Sequence, residues 1–199
     1  MSQDGVNDRW EEFLDPQILR TRLISASLFL AAFEILKDAV IGRIRNFFCL
    51  GFDEQHGPLT NPEYESDVLS RNKSPVYASL LWLQENRVID AQDLARFEKL
   101  KESRNRIAHE MTEFLQGKGP PQHATLFPEI VYLLRKIEVW WIVNVELPTD
   151  PDSGGEEIDE SQVVPGSVIT LKLMVDIALG SEKESAYYLN EFRKRRTKP

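Results

Sequence analysis

Cysteine is all but missing from this chain. Cys49 stands alone, which excludes an internal disulfide framework and any zinc cluster built from several thiolates. Histidine is scarce too: His56, His109 and His123 are the only three, and no two of them share a metal-ligand spacing. His56 and His123 fall in loop-like sequence and are assigned no role. Long apolar runs are absent. The longest, Leu23 to Phe33, is cut off by Glu34, Lys37 and Asp38. That is well short of the roughly 20 apolar residues a bilayer span needs, so a core helix is expected and no membrane association. A surplus of positive charge is lacking as well, since 24 Lys and Arg face 32 Asp and Glu for a net charge of -8. That balance argues against sequence-blind affinity for nucleic acid, and any contact with RNA has to be local. No glycine-rich phosphate loop, paired Cys or His of metal spacing, or nucleophile elbow occurs, which leaves kinase, hydrolase and redox chemistry without a motif. No basic-then-apolar leader opens the sequence, and the cytoplasm is the expected location.

What is present is ordinary globular material. In 199 residues, 42% apolar and 28% charged, there is enough to bury a real core in one domain with an extension. Asp15-Pro16 reads as an N-cap followed by proline at the first helical position. From Ile18 to Phe48 apolar residues recur at helical spacing, predicting one long helix to about Leu50, ended by Gly51. Phe52 to Ser74 reads as a long loop with one short helical turn near Glu63 to Ser70. Helix restarts at Ser74-Pro75, and Asp90 caps another over Ala91 to Leu115, stopped by Gly117 and Gly119-Pro120-Pro121. A third main helix runs from Thr125 or Pro128 to Leu147-Pro148. Val163 to Ile169 is the one weak strand candidate. Helical segments follow at Ser167 to Leu179 and Glu182 to Phe192. The expected organisation is an all-α, up-and-down bundle of long helices over 1–148, an acidic, exposed Pro/Gly linker over 149–166, and a helical extension with a basic tail over 167–199. That tail, RKRRTKP, reads as a solvated, flexible end.

The stretch ESRNRIAHEM, Glu102 to Met111, poses a question of its own. With about 100° per residue and Arg104 at zero, Phe97, Leu100, Ala108, Met111 and Leu115 fall within about 40° and Ile107 at about 60°. Arg104 is thus expected at the centre of a buried stripe. Burial of a guanidinium is costly unless an anion or a set of acceptors meets it. His109 falls about 140° from Arg104, so one straight helix does not aim both at a point. Two copies related by a two-fold axis can line one cleft with two arginines and two histidines. Such a pair supplies what RNA transphosphorylation requires: a base for the 2′-hydroxyl proton, an acid for the leaving oxygen, and cations for the phosphorane, with no metal or other cofactor needed. Asn105, one turn before His109, can orient the ring or contact the phosphate. Arg106, between Glu102 and Glu110, reads as a surface ion-pair residue. Of Trp140 and Trp141, one should enter the core and the other cover a contact. Arg43 and Arg45 read equally as a solvated face or as an extension of a basic groove.

Arg104-Asn105-Arg106-Ile107-Ala108-His109 resembles the signature of the HEPN superfamily, in which Arg and His are separated by four positions late in a helix of an all-helical bundle. A long first helix of the type AFEILKDAVIGRIRNFF and a final helix after the motif are similar to that layout, over roughly Gln17 to Glu146. The resemblance implies a homodimeric, metal-independent endoribonuclease, a toxin or an effector of phage defence, often restrained by an antitoxin or other regulatory protein. On it, Arg104 would bind the scissile phosphate of the RNA substrate, His109 would be general acid and base, and Asn105 would support both. In the branch neutralised by AMP transfer, a tyrosine stands two residues beyond the histidine. Here that position is Met111, and this mode of neutralisation is not expected. Other members are non-catalytic interaction or nucleotide-binding modules, which is the alternative for this chain.

Overall fold

The computed structural model describes residues 10–55, 57–116, 122–151 and 158–196, the side chains of 122–124 excepted. His56, the His123 side chain, the Gly117 and Gly119-Pro120-Pro121 stop, Lys198 and the middle of the linker lie outside the described residues.

Helix α1, Pro16–Phe47, opens on the expected cap: the Asp15 carboxylate accepts from the backbone N–H groups of Gln17 (2.7 Å) and Ile18 (3.2 Å). Phe29, Phe33, Leu36, Val40 and Ile44 recur three or four residues apart, and all are buried. The helix ends at Phe47 rather than near Leu50. An antiparallel hairpin follows, β1 (Cys49–Asp53) against β2 (Gly57–Thr60), where a loop is expected from the sequence. Its residues carry no period of two because neither face is buried: Leu50, Phe52 and Leu59 are all exposed. Backbone pairing makes it, together with Gly57, which takes a φ of 79° open to glycine. The short helical turn appears as a π-helical stretch, Tyr64–Val68, and a 3-10 turn, Leu69–Arg71.

Helix α2, Pro75–Glu85, starts on proline as expected. Helix α3, Ala91–His109, begins with a reciprocal capping box: Asp90 accepts from Asp93 N, and the Asp93 carboxylate accepts from Asp90 N. It does not run on to Leu115. Glu110 leaves helical geometry (φ -113°, ψ 28°), and Met111–Leu115 forms a separate turn, α4. Helix α5, Gln122–Trp141, continues through a π-helical stretch, Ile142–Glu146, to a last turn at Leu147–Thr149. Helices α6 (Gly166–Leu179) and α7 (Glu182–Arg196) complete the chain. Val163 to Pro165 leads into α6 and forms no strand.

The fold is all-α around α1, against which α2, α3, α5 and α6 all pack. Phe97 and Leu100 of α3, Leu80 and Leu83 of α2, and Ile130, Leu134 and Ile137 of α5 close the core. Each such side chain removed from water stabilises the fold by about 1.5–3 kcal/mol. Trp141 is buried and lies parallel to Trp82 (5°, centroids 6.0 Å apart), while Trp140 is partly covered, so neither offers a free stacking platform. The described end of the linker is docked rather than loose: Arg135 Nη2 donates to the carbonyls of Glu160 (2.9 Å), Ser161 (3.1 Å) and Val163 (3.3 Å), and Pro165 is buried. Leu171 anchors α6 on the bundle, and α7 rests mainly on α6. Arg193 to Arg196 form the last turn of α7, so the described part of the basic tail is helical, its cations placed where the helix dipole favours them.

Candidate functional site

Helix α3 is tied at its start before it carries the motif at its end. Asp93, only 1% exposed, receives Arg96 Nη1 (2.7 Å) and Lys136 Nζ from α5. Arg96 also reaches Glu129 of α5. Clamped so, α3 buries Asp93, Phe97, Leu100, Ser103 and Ile107. This line differs from the expected stripe. Ala108 is exposed, and Met111 and Leu115 belong to the next turn. Because α3 is wedged between α1 and α5, its buried arc is turned by about 40°, less than half a residue step, toward Ser103, which leaves Arg104 at the margin.

There the Arg104 side chain is 34% exposed, and its Nη2 donates to Glu34 Oε1 of α1 at 2.8 Å. Glu34 also accepts from Lys37 Nζ (3.0 Å). The Lys37 hydrogen bond, followed by that from Arg104, holds the Glu34 carboxyl below the usual carboxylate range. Asn105 supports its neighbour, its Oδ1 lying 3.4 Å from Arg104 Nη1. Arg104 Nε is buried without a hydrogen-bond partner.

Arg104 and Asn105 form part of the rim of a cleft of ≈ 190 Å³ between α1, α2 and α3. Phe33 and Phe97, both buried with rings 5.6 Å apart, help line it together with Val76. Glu34, Lys37, Ser74, Tyr77 and Lys101 complete its polar lining. Lys101 Nζ donates to Tyr77 Oη at 2.6 Å, a bond that raises its pKa, and Tyr77 Oη donates onward to Glu98 Oε2 at 2.9 Å. Lys101 and Tyr77 went unnoticed in the sequence. The available signal was spacing, since Lys101 precedes Arg104 by three residues and shares its face of α3.

His109 does not line this cleft. It is exposed at the last position of α3, so one chain brings Arg104 and Asn105 together and leaves the imidazole apart. Arg106 is exposed as well. Arg43 offers no free basic groove, for it bonds Glu138 and Glu146. Among the described residues no group of three His, Cys, Asp or Glu could hold a metal ion, and no helix is long and apolar enough to cross a membrane. In comparisons with known proteins, no family model, curated protein or solved structure matches the chain.

Proposed function

We propose that this chain is a metal-independent endoribonuclease that acts as a homodimer in a toxin or phage-defence role. One observation carries the proposal: Arg104 and His109 are both accessible at the C-terminal end of α3, the first at an open cleft and the second on the surface. Each chain offers one imidazole at the motif, and acid–base chemistry at a phosphodiester needs two proton-transfer groups. A second copy provides the other and brings a His109 toward an Arg104 that its own chain holds away. In the cleaving step the O2′–P bond forms as one His109 takes the 2′-hydroxyl proton. The P–O5′ bond breaks as the other His109 protonates the leaving oxygen, and a 2′,3′-cyclic phosphate remains. Arg104 holds the charge that develops on the non-bridging oxygens, and Asn105 steadies the guanidinium. A cytoplasmic location and a restraining partner protein belong to the same proposal.

Purified chain incubated with tRNA, mRNA and rRNA in EDTA should cut at least one of them and sediment as a dimer, and His109→Ala should abolish cutting. Intact RNA in all three incubations would sink the proposal. The second reading, a non-catalytic interaction module, is favoured by the Glu34–Arg104 pair, which gives the arginine a partner within its own chain. Because both side chains of that pair are partly exposed, it contributes about 0–1 kcal/mol. On that reading the pair would add little to the stability of the fold.

A further inference from the structure

Ser74 holds the N-cap position of α2, where a serine hydroxyl ordinarily accepts from the first turn, yet its side chain makes no such bond. Pro75 has no N–H to offer, and the N–H groups of Val76 and Tyr77 are left without a side-chain cap. The Asn72 side chain takes the Ser74 backbone N–H (2.9 Å) instead. Ser74 itself is half-buried between exposed Lys73 and Pro75, with its backbone extended at φ -92° and ψ 120°. An accessible hydroxyl without its usual task is the result.

Ser74 also lines the cleft of Arg104. That lining holds three cations, Lys37, Lys101 and Arg104, against one carboxylate, Glu34, which leaves two positive charges in excess on a chain whose net charge is -8. Donors remain there as well. Each ammonium has three N–H groups, of which Lys37 gives one to Glu34 and Lys101 one to Tyr77. Arg104 Nε is buried with no acceptor. Such a set calls for a small dianion with several acceptor oxygens, and a phosphoserine brings about -1.5 to -2 charge at pH 7 and three of them. Phe33, Val76 and Phe97 form the apolar walls and have no side-chain polar group to hold a sugar or another carrier. An anion tethered to the chain therefore suits these ≈ 190 Å³ better than a free one.

We infer that Ser74 is a phosphorylation site, whose phosphoryl group docks onto Lys37, Lys101 and Arg104 and caps α2. A protein serine kinase supplies it from ATP. The Ser74 Oγ–P bond forms as the bond from the γ-phosphorus to its bridging oxygen breaks, ADP leaves, and the hydroxyl proton passes to the kinase's base. The phosphate takes Arg104 over from Glu34 and occupies the guanidinium that cleavage requires, so the modification switches the enzyme off. That consequence rests on the ribonuclease proposal, whereas the docking does not.

Two preparations of the full chain test this: one purified from its own cells for mass spectrometry, and one with phosphoserine encoded at position 74. Phosphate should be found on Ser74 of the first. The second should melt about 4–8 °C above unmodified wild type. Lys37→Ala and Lys101→Ala, each measured with and without the phosphate, should remove most of that rise. Phosphoserine at exposed Ser161, beside Asp159 and Glu160, should give none. Ser74→Ala has no cap bond to lose, so it should melt within about 2 °C of wild type and cut RNA as wild type does, while the phosphoserine chain cuts at least about tenfold more slowly. Native chain without phosphate on Ser74, no rise in melting temperature, or a rise independent of both lysines overturns the inference. An equal rise of unmodified wild type in millimolar inorganic phosphate does so too, since the cleft then takes free anions. Wild type that cuts no RNA while the lysine-dependent rise holds removes only the ribonuclease. Wild type that cuts RNA no faster than the phosphoserine chain removes only the switch.

Discussion

Replacement of Arg104 by alanine separates a structural arginine from a functional one, because the structure bounds its share of stability. The side chain is 34% exposed and its partner Glu34 45%, so losing the pair costs about 0–1 kcal/mol. Removing the buried, unpartnered Nε takes away a desolvated donor and offsets part of even that. For a chain of 199 residues the melting temperature should therefore fall by no more than about 4 °C. A guanidinium that stabilises a pentacovalent phosphate is worth far more, about 10²–10³ in rate. The assay is paired: urea unfolding of wild type and Arg104→Ala, and single-turnover cleavage of one defined oligoribonucleotide by both. A double-mutant cycle with Glu34→Ala should give a coupling below about 1 kcal/mol. A destabilisation above about 3 kcal/mol with cleavage unchanged would refute the reasoning, since the arginine would then act as a structural tie.

Asp93→Ala should destabilise by about 2–3 kcal/mol in urea, less than for a fully buried pair because Arg96 and Lys136 are 30% and 32% exposed and can return to water. A loss under about 1 kcal/mol would mean that this carboxylate does not tie α3 to α5. Arg43→Ala strands the Glu138 carboxylate, 7% exposed, and should cost about 2–4 kcal/mol while leaving RNA cleavage as in wild type. Cleavage that drops in proportion would return Arg43 to the site. Glu34 titrates below the usual carboxylate range because of Lys37 and then Arg104, so its contribution is complete above that range and disappears as pH falls through its folded value. The stability gap between wild type and Glu34→Gln, a few tenths of a kcal/mol in view of its exposure, should be constant near neutrality and close in acid. A gap that widens as pH falls contradicts the assigned direction.

The helices were legible because their signals are local. Asp15-Pro16, Ser74-Pro75 and Asp90 mark starts that depend on neighbouring residues alone, and each helix begins there. The hairpin was not legible, because Leu50, Phe52 and Leu59 face solvent and no buried face imposes alternation on the sequence. The end of α3 was missed for the opposite reason. Met111 and Leu115 continue the apolar spacing, so periodicity runs through Glu110, and only the backbone turn there divides the helix.

At the site, the sequence states the demand and withholds the supplier. An arginine among apolar neighbours calls for an anion, a requirement of desolvation that holds wherever the partner comes from. Glu34, 70 residues earlier, is that partner, and nothing local could pick it out from the other carboxylates of the chain. A rotation of the buried arc by about 40° then decides how strong the demand is. With Ser103 inward in place of Arg104, the guanidinium reaches the surface, its ion pair becomes weak, and the anion beside it becomes exchangeable. A deeply buried pair would have locked Arg104 into the fold. A marginal one, with Lys37 and Lys101 lining the same cleft, is what the proposed ribonuclease would need, since its Arg104 has to leave Glu34 for the scissile phosphate.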